Sequence, residues 1–164
     1  MNLIKLRPVK SQDILPLNII RNDKPSLSMM NARYTKKEEL SGTKEWAERQ
    51  SSDGSFFVIE YNEECAGFIK SRPFSFGDRG YELTEIGIAL CPEFRGKEIA
   101  PIAVSDFIEM SKLKKFIIRV IDDNDRSRKM FLKCGFKLIG RVSGVIEPDQ
   151  ESDSLDIIFM MYSK

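Results

Sequence analysis

The stretch Glu93-Phe94-Arg95-Gly96-Lys97-Glu98-Ile99-Ala100-Pro101 decides how this chain is read. A strand-like segment, Leu83 to Leu90, precedes it, and a helix-like one, Ile99 to Lys112, follows. A strand that feeds a basic, glycine-containing turn and then a helix can hold phosphate on backbone N–H groups. The free amides of the first helical turn point away from the helix, and its dipole favours negative charge there. Pro101 fits such a first turn, where a residue needs no intrahelical N–H partner. The run alone suits a plain basic turn equally well.

A second stretch strengthens the anion-site reading. The strand-like run Phe116-Ile117-Ile118-Arg119-Val120-Ile121 is followed by Asp122-Asp123-Asn124-Asp125-Arg126-Ser127-Arg128-Lys129-Met130-Phe131-Leu132-Lys133-Cys134-Gly135-Phe136. Asn124 is an apt N-cap, and Ser127 lies one turn into the helix it starts. Gly135 suits a left-handed C-cap, after which Phe136 starts another strand.

On these two runs the chain resembles the GNAT superfamily of acetyl-CoA-dependent N-acetyltransferases, over nearly its whole length. The first is similar to that family's pyrophosphate loop, Arg/Gln-x-x-Gly-x-Gly/Ala. The second is similar to its Asn-x-x-Ser-x-x-x-Tyr/Phe-x-Lys-x-Gly-Phe helix.

Composition sets the outer bounds. At 164 residues the chain makes one domain, residues 1–164, with enough length for a substantial core. Twenty-six basic and 25 acidic residues leave a net charge of +1. That balance gives no global attraction to nucleic acid or an anionic membrane. No aromatic–basic stripe suggests a nucleic-acid module either. Lys112, Lys114 and Lys115 cluster where cations suit a helix C-terminus.

Cys65, Cys91 and Cys134 lack metal or redox spacing, and the chain has no histidine. Cys–His and Ser–His catalysis and most zinc chemistry are thereby removed, so no metal is expected. Reduced, packed thiols fit a cytoplasmic protein. The N-terminal run from Met1 to Arg7 lacks the long apolar core of a signal peptide, and no segment is long enough to span a bilayer.

Along the chain, residues 3–7 alternate like a half-buried strand. Ser11-Gln12-Asp13 caps a helix from about Ile14 to Arg21, with Pro16 in its first turn. Thr35 to Gln50 reads as a helix with Leu40, Trp46 and Ala47 inward, weakened by Gly42. Ser55 to Tyr61 and Cys65 to Arg72 form a hairpin across Asn62-Glu63-Glu64. Phe74 to Gly80 reads as a loop, and Tyr81 to Leu90 as a long strand. Ile99, Ile102, Ala103, Phe107 and Met110 recur at helical spacing and are expected to cover a sheet. Phe136 to Ile146 and Leu155 to Tyr162 form a final antiparallel pair across a polar turn at 147–152. The order implies an α/β (α+β) domain: a mixed, mostly antiparallel sheet of six to seven strands with helices on both faces. GNAT domains share this layout and splay their fourth and fifth strands apart.

The resemblance implies where the chemistry lies. The pantetheine arm of acetyl-CoA would pair with the fourth strand near Ile86, Gly87 and Ile88. Gly87 also suits a bulge or a close backbone approach. An N–H near Ile88 would stabilise the oxyanion. Phe94, Arg95, Gly96, Lys97, Glu98, Ile99 and Ala100 would hold the pyrophosphate, with Arg95 and Lys97 adding charge. Asn124, Ser127 and Phe131 would line the far side of the cofactor. Acetyl transfer needs a neutral amine, a proton acceptor and a donor for the thiolate. Of Glu82 and Glu85, which strict alternation puts on opposite faces, Glu85 shares the side of Gly87 and is the chosen base.

Two departures from the family pattern stand out. Glu98 replaces the usual glycine, placing a carboxylate beside the pyrophosphate unless it points away or pairs with Arg95 or Lys97. Phe131 replaces the tyrosine that many members use to protonate the thiolate. Tyr81, Tyr34, Tyr162 or water must then serve, or the thiolate leaves unprotonated. On the acceptor side, Arg21, Asn22 and Trp46 are the substrate-binding candidates, with Arg33, Phe74 and Phe76 as further contacts. Their pattern is similar to amino-sugar and Rim-type branches of the family. The expected reaction is acetyl transfer from acetyl-CoA to a small-molecule primary amine, a nucleotide-linked amino sugar among the choices. The alternatives are a protein N-terminal acetyltransferase and a degenerate CoA-binding protein without turnover. A homodimer is left open.

Overall fold

The computed structural model describes residues 3–25, 37–75, 83–146 and 155–164. Seven strands form one sheet: β1 (Ile4–Arg7), β2 (Phe56–Tyr61), β3 (Glu64–Phe74), β4 (Leu83–Leu90), β5 (Lys115–Ile121), β6 (Lys137–Ile146) and β7 (Leu155–Ser163). Among the described residues four complete α-helices accompany them: α1 (Ile14–Asn22), α2 (Leu40–Ser51), α3 (Ile99–Met110) and α4 (Asp125–Lys133). The strand order is β1-β2-β3-β4-β5-β7-β6. Every neighbouring pair is antiparallel except β4–β5, which is parallel. That exception follows from the α3 crossover, since a parallel connection needs a long segment to return to the same edge.

The helices divide between the two faces. Trp46 of α2 meets Phe56 of β2 and Phe68 of β3 edge-on, with ring centroids 5.2 and 5.5 Å apart. Phe107 of α3 instead meets Phe57 and Phe116 from the other side, at 6.1 and 6.4 Å. Successive strand residues alternate faces, so Phe56 and Phe57 feed two different layers of core. Val58, Ile59, Ile69, Phe116, Ile117 and Met160 are fully buried between them.

Several element limits differ from the sequence reading. Residues 37–39 precede α2 rather than belonging to it, and Leu40 at its start is half-exposed. Thr43 and Ala47 take the inward positions instead. In α3 the buried stripe is Ile99, Ala103, Val104, Phe107 and Ile108, whereas Ile102 and Met110 face solvent. A helix lying across a sheet buries the i, i+4, i+8 rows, and Val104 with Ile108 completes that stripe where Ile102 would leave it. Helix α3 also ends at Met110, two residues before the expected Lys112. The expected loop start at Phe74 is the last residue of β3. Residues 76–80 of that loop, and the polar turn at 147–152, lie outside the described residues.

The site is positioned by the β4–β5 pair. Only Thr84↔Phe116 and Glu85↔Ile117 are in register. Beyond them the strands diverge, so the rest of β4 and β5 opens into a wedge. Gly87 lies at its edge with no bulge, because β3 and β4 stay in unbroken register from Gly67↔Leu90 to Phe74↔Leu83. Among the protein's own atoms a Cβ on Gly87 would meet Lys70 side-chain carbons, at 3.4 Å, and no backbone of the chain. The close approach is at Gly67, where a Cβ would lie 2.2 Å from the Ala89 carbonyl oxygen. Packing within the chain requires glycine at Gly67 and does not require it at Gly87.

Candidate active site

The wedge opens into a cleft of about 1420 Å³ that runs from the N-terminus of α3, past β4, to the α1–α2 side of the sheet. That exceeds what one drug-sized ligand needs, for which roughly 300–1,000 Å³ is usual. Two reactants can therefore meet inside it.

At one end lies the loop between β4 and α3. Pro92–Phe94 form a 3₁₀ turn, and the chain then passes through Gly96 at φ 78° and Glu98 at φ 58°. These left-handed residues turn the backbone so that α3 begins at Ile99 with no side-chain cap. Among the described residues, the N–H groups of Gly96, Lys97 and Glu98 have no backbone acceptor. The first-turn amides of α3 lack intrahelical partners by construction. Gly96, Glu98, Ile99 and Ala100 all line the cleft. A row of open donors at an uncapped helix start fits a diphosphate.

The charged residues of this loop are placed differently from the sequence expectation. Arg95 lines the cleft, but its guanidinium binds Asp23 at 2.6 Å and the Leu90 carbonyl at 3.1 Å, tying the end of α1 to the loop. Lys97 lies over the Phe94 ring at 5.1 Å, and neither residue lines the cleft. Arg126 at the start of α4 takes the place expected of them. It lines the cleft, with Nη2 3.6 Å from the position of a Cβ on Gly96. Sequence reading passed over Arg126 because only the packing of α4 beside the loop brings it there.

Glu98 pairs with neither Arg95 nor Lys97. Its Oε2 accepts from Lys133 Nζ at 2.5 Å, and both side chains are exposed. The left-handed backbone disfavours any residue with a Cβ by about 1–2 kcal/mol, and an exposed ion pair offsets little of that. Glu98→Gly is therefore expected to raise stability by about 1 kcal/mol and to tighten coenzyme A binding. Thermal unfolding and calorimetry check the two effects separately; weaker binding would refute the electrostatic argument.

The second motif forms α4 as expected. Asn124 is its N-cap, Oδ1 accepting from the Ser127 N–H at 3.1 Å. Among the described residues the amide nitrogen of Asn124 has no hydrogen-bond partner, and Asn124, Ser127 and Phe131 line the cleft. Phe131 is buried against Phe136, 5.2 Å between centroids. Gly135, at φ 86°, ends the helix as its sequence position suggested. Ile86, Gly87 and Ile88 also line the cleft along β4.

At the other end, Glu85 is the centre of a charged triad. Its Oε2 accepts from Arg72 Nε at 2.5 Å and its Oε1 from Arg119 Nε at 2.6 Å. Burial raises the pKa of this carboxyl, but the hydrogen bonds from Arg119 and Arg72 outweigh it, leaving the group below its ordinary value. Both oxygens are thus engaged, and the carboxylate accepts a proton less readily than a free one. Lys70 and Arg72 alternate along β3 and, by the register Lys70↔Gly87 and Arg72↔Glu85, share this face. The sequence reading missed both, together with Arg119. Only strand pairing sets them around Glu85.

Arg21 and Trp46 reach the cleft together, the Arg21 Cζ lying 4.7 Å from the Trp46 ring centroid. Asn22 does not. Its amide nitrogen donates to the Asn18 and Glu38 carbonyls, and its Oδ1 accepts from the Glu38 N–H at 2.8 Å. It clasps α1 to the segment before α2, so both amide ends are used structurally. Tyr162 packs between Phe116 and Phe136 away from the cleft, which removes it as a proton donor. Tyr81, Tyr34, Glu82, Arg33 and Phe76 lie outside the described residues.

The thiols take no part. Burial pushes Cys65 and Cys91 up to about 12, so they stay protonated and unreactive at neutral pH. Among the described residues no cluster of acidic or thiol side chains could hold a metal ion, and no helix is long and apolar enough to cross a membrane.

Comparison with known proteins agrees with this arrangement. A search of the curated proteins returns no match. Among solved structures, the spermidine N-acetyltransferase of Vibrio cholerae, in complex with CoA and spermine, superposes with a TM-score of 0.81 at 18% identity, covering 98% of this chain and 95% of that one. The ribosomal-protein-alanine N-acetyltransferase of Brucella melitensis gives 0.79 at 23% identity, covering 99% of each chain. The microcin C7 self-immunity acetyltransferase, in complex with acetyl-CoA and AMP, gives 0.78 at 23% identity, covering 98% and 92%. At such identities these likenesses establish the fold alone. The family model described as Acetyltransferase (GNAT) domain matches residues 4–137, most of the chain. With its splayed sheet, open helix start and matched domain, this chain belongs to the GNAT acetyltransferases, enzymes that use acetyl-CoA as co-substrate.

Proposed function

We propose that the protein transfers the acetyl group of acetyl-CoA to the primary amine of a small molecule by direct attack across the β4–β5 wedge. The observation that carries this reading is a single cleft with open backbone donors at one end and the buried carboxylate of Glu85 at the other. Acetyl-CoA supplies an activated acyl carbon as its thioester.

The residues of the chain do the rest. Gly96, Glu98, Ile99 and Ala100 offer backbone amides to the diphosphate, and Arg126 adds a cation beside them. Asn124, through its free amide hydrogens, and Ser127 orient the extended arm against Ile86, Gly87 and Ile88. Holding the reactants in one orientation converts an encounter in solution into an intramolecular step. Glu85 attracts the incoming amine. It accepts the amine's proton directly or through a water once a ligand draws Arg72, which is 62% exposed, from its oxygen. Phe131 has no hydroxyl, so the thiolate leaves to water or to a donor outside the described residues.

The fold does not choose the acceptor, since similar structures bear names for both polyamine and protein substrates. Release of free thiol from acetyl-CoA, measured across amino sugars, amino acids, polyamines and peptides, tests the proposal. Turnover on a small amine supports it. Cofactor binding with no turnover on any amine would leave a binding protein and overturn it, and turnover confined to peptides would favour a protein N-terminus.

A further inference from the structure

We propose that the acceptor carries an acidic group, a carboxylate or a phosphate, held by Lys70 and Arg21 on the α1–α2 side of the cleft; this rests on the acetyltransferase reading above. Around Glu85 one negative charge meets three cations, Lys70, Arg72 and Arg119. Arg72 and Arg119 share that carboxylate. Lys70 is half-buried and, among the described residues, its ammonium has no hydrogen bond or ion pair. Arg21 is only partly satisfied. Its Nη2 meets Glu38 at 3.2 Å, while Nη1 is buried without a hydrogen-bond partner among the described residues. Arg49 and Asp53, of opposite charge, also line the cleft.

A half-buried cation without a partner bears part of the cost of burying a charge, and a buried unsatisfied donor is costly too. Both sit in a cleft that a substrate enters, so a ligand anion would relieve both at once. Burial holds Lys70 below its ordinary pKa, Arg72 and Arg21 push it the same way, and Glu85 opposes them. The local field therefore favours an added negative charge. It also acts against acceptors bearing only ammonium groups, which would meet like charge on entry. An amine with an acidic group satisfies both ends: its anion meets Lys70 and Arg21, and its nitrogen faces Glu85.

Calorimetry on protein saturated with coenzyme A tests this with three probes: glutamate, phosphoethanolamine and spermidine. At least one acidic amine is expected to bind roughly 10-fold or more tightly than spermidine, as one charge-assisted hydrogen bond allows. The glutamate and phosphoethanolamine arms distinguish carboxylate from phosphate. Lys70→Gln is expected to remove about 10-fold of that affinity, with coenzyme A binding unchanged, and Lys70→Arg to restore much of it. Equal or tighter spermidine binding, no association of either acidic amine, or no effect of Lys70→Gln would overturn the inference while the family reading stands. Failure of coenzyme A itself to bind would instead overturn the acetyltransferase reading, and this inference with it.

Discussion

Glu85→Gln is expected to lower kcat by about 10²- to 10⁴-fold, the range for losing a positioned proton acceptor, with acetyl-CoA affinity unchanged. The amide keeps the shape of the side chain but cannot take a proton, and it faces Arg72 and Arg119 without a charge. The pH dependence separates chemistry from structure. Because the two guanidiniums hold the Glu85 pKa below its ordinary value, the group is fully ionised at neutrality. Its kinetic limb falls on the acid side, and that limb is expected to vanish in the variant. A limb near neutral pH should remain, because it would report another group, such as the acceptor amine. An unchanged acid limb would remove Glu85 from the proton path.

The same depressed pKa has a sign in stability. The ionised triad contributes fully above the unfolded carboxyl value of about 4.3, and the contribution is lost as pH falls through the lower folded value. Wild type and Glu85→Gln should therefore converge in stability in acid. Arg72 and Arg119 are 62% and 36% exposed, so solvent screens much of the interaction. The larger effect belongs to catalysis.

Asp13→Ala is expected to cost about 3–5 kcal/mol in denaturant unfolding, the range for removing one partner of a buried ion pair. Asp13 is 1% exposed and grips Arg7 with both oxygens, at 2.7 and 2.9 Å. It also accepts from the Lys10 N–H at 2.7 Å. Removing it leaves the Arg7 guanidinium with Glu60 as its one carboxylate partner among the described residues, beside the Pro8 carbonyl, and orphans a backbone donor. The pair ties β1 to the start of α1, so the loss should appear as destabilisation and not as a change in coenzyme A affinity. Replacing Arg7, Asp13 and Glu60 together by leucine should recover part of the stability, because the cost lies in an unmatched charge and Glu60 also pairs with Arg7. A loss below about 1 kcal/mol for Asp13→Ala, a typical surface change, would show that water reaches the site.

Local sequence determined the features that depend on neighbouring residues. Asn124 caps α4 and Gly135 ends it, as their spacing indicated, because capping is settled within one helical turn. The start of α3 at Ile99 was equally legible. Alternation at residues 3–7, the apolar strand-like runs and the order of elements implied a mixed sheet with helices on both faces, because such patterns are local. Charge at the site was not legible. Arg95 looked like a phosphate ligand until its pairing with Asp23, 72 positions away, became visible. Asn22 looked like a substrate contact and is a clasp, while Arg126, Lys70, Arg72 and Arg119 carried no motif at all. Tertiary structure decided those roles for a physical reason: a long charged side chain takes its partner from whatever strand register and helix packing bring within a few ångströms. No spacing along the chain encodes that distance.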